Sequence, residues 1–137
     1  MKSIRILGTA AVVLVLDQAS KAFMRAYHPD SWLFSVTQNT GAAFSLFQNS
    51  ALILAVISLV ILAVLTYYAF KLSEHDHGMQ YGMGLILGGG LGNVMDRLIF
   101  RSVTDFIDVH IWPVFNLADA SAVVGVLIIA YVLIKKS

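Results

Sequence analysis

The stretch ALILAVISLVILAVLTYYAF, residues 51 to 70, decides the fold, because it carries no charged side chain. As a helix rising about 1.5 Å per residue, a segment of this length crosses a hydrocarbon core of about 30 Å. Three weaker apolar stretches surround it: about residues 4 to 25, interrupted by Asp17 and Lys21; about 79 to 99, rich in glycine; and about 116 to 134, entered through Asn116 and Asp119. The reading is an all-α membrane protein with four transmembrane helices, one domain over residues 1 to 137, and both termini on the same side. Lys2 and Arg5 ahead of an apolar run could mark a cleaved secretory leader. Asp17, Gln18 and Lys21 do not form a small-residue cleavage site, however, and apolar character resumes at Phe23, so this span is read as a retained helix.

Composition agrees. The 137 residues are 58% hydrophobic and 12% charged, with a mean hydropathy of +0.80, too apolar for a water-soluble domain of this size. Nine basic and eight acidic residues leave a net charge of +1, which offers no electrostatic footprint for nucleic acid. The absence of cysteine removes disulfides, thiolate nucleophiles and cysteine metal sites. Lys2, Arg5, Lys71, Lys135 and Lys136 fall on the side of the termini, against Lys21, Arg25, Arg97 and Arg101 on the other. The positive-inside rule therefore favours cytoplasmic termini by a small margin. Each of the four opposing basic residues sits at a helix end near an acid, as a site or anchor group would.

Between the first two spans, SWLFSVTQNTGAAFSLF at 31 to 47 carries β-branched and aromatic residues on both sides of Asn39, Thr40 and Gly41. That pattern fits a small outer hairpin, with an irregular loop of interfacial aromatics as the alternative. In the third span Gly84, Gly88 and Gly92 recur every four residues, a spacing that admits a neighbouring helix backbone in a membrane. The glycine run is not a dinucleotide fingerprint, since Asn93 takes the last glycine position and no strand precedes it.

Asp105 and Asp119 lie in otherwise apolar sequence. An acid near mid-bilayer costs roughly 2.5 to 3.5 kcal/mol on insertion scales, so an unpaired one calls for a chemical reason. Asp17 and Lys21, four apart, share a helix face as an ion pair, and Asp96 with Arg97 is read as a second structural pair. Asn116 could cap the last helix with Asp119 in its first turn, the structural alternative for that acid. Topology gathers Lys21, Arg25, Asn39, Asn93, Arg97, Asp105, Asn116 and Asp119 at the outer end of the bundle. Two carboxyl groups held together there would share a proton; one could accept a proton from water while the other polarises a carbonyl, which is aspartic peptide hydrolysis. Glu74, His75, Asp76 and His77 read as a solvated inner loop rather than a metal site, His28 and His110 as interfacial side chains, and Trp32, Trp112, Tyr67 and Tyr68 as membrane-interface anchors. Ser20, Ser45 and Ser121 lack a Ser-His-Asp arrangement.

Five blocks in order, DQASK at 17 to 21, NTGAAFSLF at 39 to 47, GGGLGNVMDR at 88 to 97, VTDFID at 103 to 108 and FNLAD at 115 to 119, resemble bacterial lipoprotein signal peptidase, or signal peptidase II. The resemblance implies a four-helix inner-membrane aspartic endopeptidase that cuts prolipoproteins just before a diacylglyceryl-modified cysteine. It implies a catalytic pair at Asp105 and Asp119, supported by Asp17, Lys21, Asn39, Gly89, Asn93, Arg97 and Asn116, with a site facing the extracytoplasmic side. It further implies a small extracytoplasmic β element at the suspected hairpin, inhibition by globomycin, and no cofactor or metal; the partners are lipid-modified prolipoproteins and membrane lipid, and the chain is expected to act as a monomer. Gly90 stands where alanine is commoner in the family, and the loop between the two aspartates holds only Phe106 to Ala118, which bears on how much substrate-clasping surface is present. A transporter subunit would place its acids near mid-membrane, often in repeated halves, and an assembly helper would explain the glycines but not the two separated acids.

Overall fold

The computed structural model describes residues 1–72 and 74–137. Four helices form the body: α1 (Lys2–Tyr27), α2 (Ala51–Ala69), α3 (His77–Phe100) and α4 (Leu117–Lys136). Two strands, β1 (Phe34–Asn39) and β2 (Val103–Ile107), lie in the two long connections at one end. Segments Ser3–Tyr27, Ala51–Ala69 and Leu117–Lys136 are long and apolar enough to cross a membrane. Helix α3 is longer than α2 at 24 residues, but its glycines, Asn93, Asp96 and Arg97 dilute its apolar character.

The polar dilution of α3 follows from its place in the bundle, where it packs against α1, α2 and α4. The glycine spacing fits that packing. A methyl group on Gly84 would lie 2.8 Å from the Ile6 carbonyl oxygen of α1, one on Gly88 would strike the Ala10 carbonyl, and one on Gly92 would strike the Asp17 carboxylate. Gly89 meets the Ala118 backbone of α4 in the same way, and Gly90 abuts Leu62 of α2, so alanine there would displace the end of that leucine. Around these contacts Ile6, Ala10, Leu62, Met83, Leu87 and Val94 form an apolar core. Leu52, Ile53, Val56, Ile57, Val60 and Ile61 of α2 are exposed, the outward apolar surface of a helix bathed in lipid rather than water.

The helix ends use backbone geometry the sequence only partly announces. His28 and Arg101 adopt left-handed φ values of 44° and 58° and return their N–H groups to Met24 and Arg97, ending α1 and α3. Asn116 caps α4 with a reciprocal capping box to Asp119. At the opposite end of the bundle the terminal amino group pairs with Glu74, and Lys136 pairs with Asp76, so the inner acids expected to be solvated tie the chain ends to the loop between α2 and α3.

The hairpin expected around Asn39 to Gly41 does not form. β1 pairs antiparallel with β2, some sixty-five residues away, in the register Phe34↔Ile107, Thr37↔Asp105, Gln38↔Thr104 and Asn39↔Val103, with a bulge between Phe34 and Thr37. Residues after Gly41 turn into a 3-10 segment, Ala43–Ser45, where Phe44 and Ser45 both have φ of 58°. A methyl group on Gly41 would strike the Leu46 carbonyl, so the chain folds back on itself there instead of continuing a ladder. The β signal in the sequence was real, but its partner is the VTDFI segment, whose strand character short-range pattern did not reveal.

Because α1 approaches α3 through Gly92, Gly92→Ala is expected to push Asp17 off its seat and destabilise the protein by about 1 to 3 kcal/mol, as overpacking does. Thermal unfolding in detergent measures this, with Gly8→Ala as control because nothing lies within 4 Å of a methyl group at Gly8.

Candidate active site

Beneath the sheet, the i, i+4 pair of α1 is completely buried: Lys21 Nζ lies 2.7 Å from Asp17 Oδ2, and both side chains are 0% exposed. Charges taken out of water cost several kcal/mol each unless their hydrogen-bonding capacity is met. Here it is met by three helices. Lys21 also donates to Asn93 Oδ1 of α3 at 2.9 Å and lies 3.6 Å from Asp96 Oδ2. Asp17 Oδ1 accepts the Ala118 N–H of α4 at 2.9 Å, and its Oδ2 accepts from Gln18 at 3.2 Å. Asp96 does not pair with its neighbour Arg97 as expected. Adjacent residues on a helix point about 100° apart, and Asp96 turns inward to Lys21, to Gln18 Nε2 at 3.1 Å and to the Thr104 N–H at 3.0 Å.

Two asparagines carry this order up to the aspartates. With its Oδ1 taken by Lys21, Asn93 directs Nδ2 to Asp119 Oδ1 at 2.8 Å. Asn116 uses Oδ1 to cap the Asp119 N–H at 2.9 Å, which leaves Nδ2 to donate to Asp105 Oδ1 at 2.8 Å and to Asn93 Oδ1 at 3.0 Å. Asp119 Oδ2 accepts the Asn116 N–H at 3.2 Å. The capping role and a place in the site therefore coexist in Asp119. From the sheet, Asn39 Nδ2 donates to Asp105 Oδ2 at 3.2 Å, with its own Oδ1 held by the Gly41 N–H at 2.9 Å.

Asp105 and Asp119 line one cavity of about 320 Å³, with Asn39, Asn93 and Arg97 also on its polar wall and Val103, Trp112, Pro113, Phe115, Ala122 and Val123 on its apolar one. A second cavity of about 380 Å³, between the turn after β1 and Pro113, also reaches Asp105. Phe44 stacks edge-on against Trp112, with 5.4 Å between ring centroids, across the space between these loops. Asp105 is 4% exposed, and its carboxyl group is pushed up to about 7 by burial first and the nearby Asp119 charge second; hydrogen bonds from Asn39 and Asn116 and the charge of Lys21 oppose the shift. Since the shift is upward, this group's contribution to stability is complete below its ordinary value of 3.8 and is lost as pH rises through about 7. Arg97 reaches the same wall, and its buried Nε has no hydrogen-bond partner among the described residues.

The structure thus brings together Asp17, Lys21, Asn39, Asn93, Arg97, Asp105, Asn116 and Asp119. Gly89 contributes by letting the head of α4 sit close. Arg25 lies behind the sheet instead, on Thr104 Oγ1 at 3.0 Å and over the Phe100 ring. Sequence reasoning missed Gln18 and Thr104. Gln18 stands beside Asp17 and Thr104 beside Asp105, and only three-dimensional contact distinguishes them from ordinary neighbours.

A family model for signal peptidase (SPase) II matches residues 9–135. This chain belongs to the signal peptidase II family. Lipoprotein signal peptidase of Pelotomaculum thermopropionicum is 37% identical over 93% of this chain and 90% of its own length. That of Halothermothrix orenii is 42% identical over 83% of this chain and 84% of its own. A solved structure described as a bacterial membrane enzyme superposes with a TM-score of 0.83 at 30% identity, covering 94% of this chain and 92% of that one. As a signal peptidase II, the chain is a bacterial membrane protease that removes signal peptides from prolipoproteins. In this signal peptidase II, Lys21→Met would strand two buried carboxylates, so it is expected to cost about 3 to 5 kcal/mol, read as a lowered unfolding temperature in detergent.

Proposed function

We propose that this signal peptidase II is an aspartic endopeptidase in which Asp105 and Asp119 activate one water for attack on the peptide bond just before the diacylglyceryl-modified cysteine of a prolipoprotein. The observation that carries the reading is that both carboxyl groups face one cavity and are tied through the Asn93 and Asn116 amides. Asp105, buried and held protonated to about pH 7, hydrogen-bonds the scissile carbonyl oxygen. Asp119, half-buried, takes a proton from water as the water oxygen attacks the carbonyl carbon, while Asp105 gives its proton to the developing alkoxide. Collapse of the tetrahedral intermediate returns a proton from that hydroxyl to Asp105, and Asp119 protonates the departing amine. Arg97 and Asn39, on the wall of the cavity, are the polar side chains placed to hold substrate backbone.

In the proposed arrangement α3 is the fourth membrane span of a single domain, the termini are cytoplasmic, and the site opens toward the outer face of the inner membrane. The basic residues support this orientation: Lys21 and Arg25, which weigh against it in sequence, are engaged by Asp17, Asn93 and Thr104 rather than displayed as loop charges. The cavity's apolar wall continues down α4 through Ala122, Val123, Val126 and Leu127, where acyl chains already in the membrane can rest. Globomycin is expected to compete for the same cavity, and the monomer is the expected working unit.

Incubation of purified protein with a lipid-modified precursor in the presence of EDTA tests the class: cleavage is expected to persist, and loss of activity would indicate a metal enzyme instead. Asp105→Asn and Asp119→Asn are each expected to abolish measurable cleavage while remaining folded; near-normal turnover by either sinks the assignment. Rate against pH is expected to fall above about 7, as Asp105 loses its proton and can no longer donate to the carbonyl.

A further inference from the structure

Behind the proposed catalytic pair, β2 has a second face. Successive side chains of a strand point to opposite sides. Asp105 enters the cavity, whereas its neighbour Thr104 lies outside the cavity lining and is completely buried. Four elements meet on this one residue. Its N–H donates to Asp96 Oδ2 of α3 at 3.0 Å, and its carbonyl accepts from Asn116 Nδ2 at the head of α4 at 3.3 Å. Its Oγ1 accepts from Arg25 Nη1 of α1 at 3.0 Å and from Gln38 Nε2 of β1 at 3.2 Å. Arg25 is itself fixed, 4.4 Å from the centre of the Phe100 ring and 3.7 Å from Asp96.

These two backbone bonds join the ladder with β1 and the bridge to Phe115 in setting the position of β2, but backbone bonds alone leave the tilt of its side chains less closely fixed. The hydroxyl grip supplies the sideways restraint: with Thr104 Oγ1 drawn to Arg25 and Gln38 on one side, the Asp105 carboxyl is aimed to the other, where Asn39 and Asn116 receive it. We propose that Thr104, gripped by Arg25 and Gln38, is a positioning residue for this protease, aligning Asp105 for proton transfer without touching substrate. The inference rests on Asp105 having the catalytic role given above. It assigns a purpose to Arg25 and Thr104 that neither their charge nor their polarity requires, since a valine at 104 would satisfy burial and strand propensity equally well.

The test measures kcat and KM of the full-length protein on a lipid-modified precursor for Thr104→Val, Thr104→Ser and Arg25→Gln. A reacting group displaced by 1 Å can cost about 100-fold in rate, so Thr104→Val is expected to lower kcat by about 10- to 100-fold, with KM changed less than about twofold. Thr104→Ser, which keeps the oxygen, is expected to restore kcat to within about threefold, and combining Thr104→Val with Arg25→Gln should cost little more than either alone. If Thr104→Val fails to fold, Arg25→Gln carries the kcat test, because it removes the shorter of the two bonds to Thr104 Oγ1 while leaving the threonine in place. Parent-like kcat in both, or a Thr104→Ser enzyme as impaired as the valine variant, overturns the proposal. An active Asp105→Asn enzyme would instead overturn the catalytic reading; an inactive one alongside a fully active Thr104→Val overturns this inference alone.

Discussion

A lysine ammonium buried among α1, α3 and α4 is the constraint on which the rest depends. Lys21 cannot be left without partners at a depth where water is scarce, so Asp17, Asn93 and Asp96 must converge on it. Their convergence fixes the helices. Asp17 reaches across to the Ala118 N–H and sets the start of α4; Asp96 reaches up to the Thr104 N–H and sets β2. Glycines 84, 88 and 92 make these reaches short, since any side chain there would hold α1 away from α3.

From that base the order passes upward through side-chain amides rather than charges. Each asparagine has one oxygen and one nitrogen to assign, and occupying the oxygen decides where the nitrogen points. Asn93 gives its oxygen to Lys21 and its nitrogen to Asp119; Asn116 gives its oxygen to the α4 cap and its nitrogen to Asp105. A polar network whose amides and buried ammonium are all engaged holds those members in one arrangement, and the two acids inherit that rigidity. The same burial that makes the network costly when broken raises the Asp105 carboxyl to about 7, the range that suits the proton-donor role proposed for it.

The cavity combines two surfaces suited to a lipidated peptide. Its polar wall, with Asn39, Asn93, Arg97 and the two acids, can meet a peptide backbone, and its apolar wall leads along α4 toward lipid. The sheet closes the site from above. Arg25, behind it, has its guanidinium on the Phe100 face and the Thr104 hydroxyl, so a residue that reads in sequence as a site or anchor group holds the far side of the strand carrying Asp105.

By itself the sequence determined the lipid setting, the four helices to within a few residues, the glycine-mediated approach of α3, the Asp17 and Lys21 pair, and the five blocks that resemble the family. These are legible because they rest on composition, on 3.6-residue periodicity, or on residues close together in the chain. Only the tertiary structure decided that β1 pairs with β2 instead of with the segment after Gly41, that Asp96 answers Lys21 and Thr104 rather than Arg97, and that Asp119 both caps α4 and lines the cavity that Asp105 lines. Those outcomes join residues far apart in the chain, as Thr37 and Asp105 across the sheet are by 68 positions. Which of several chemically suitable partners a buried polar group takes depends on where packing puts the helices, and local pattern carries no record of that.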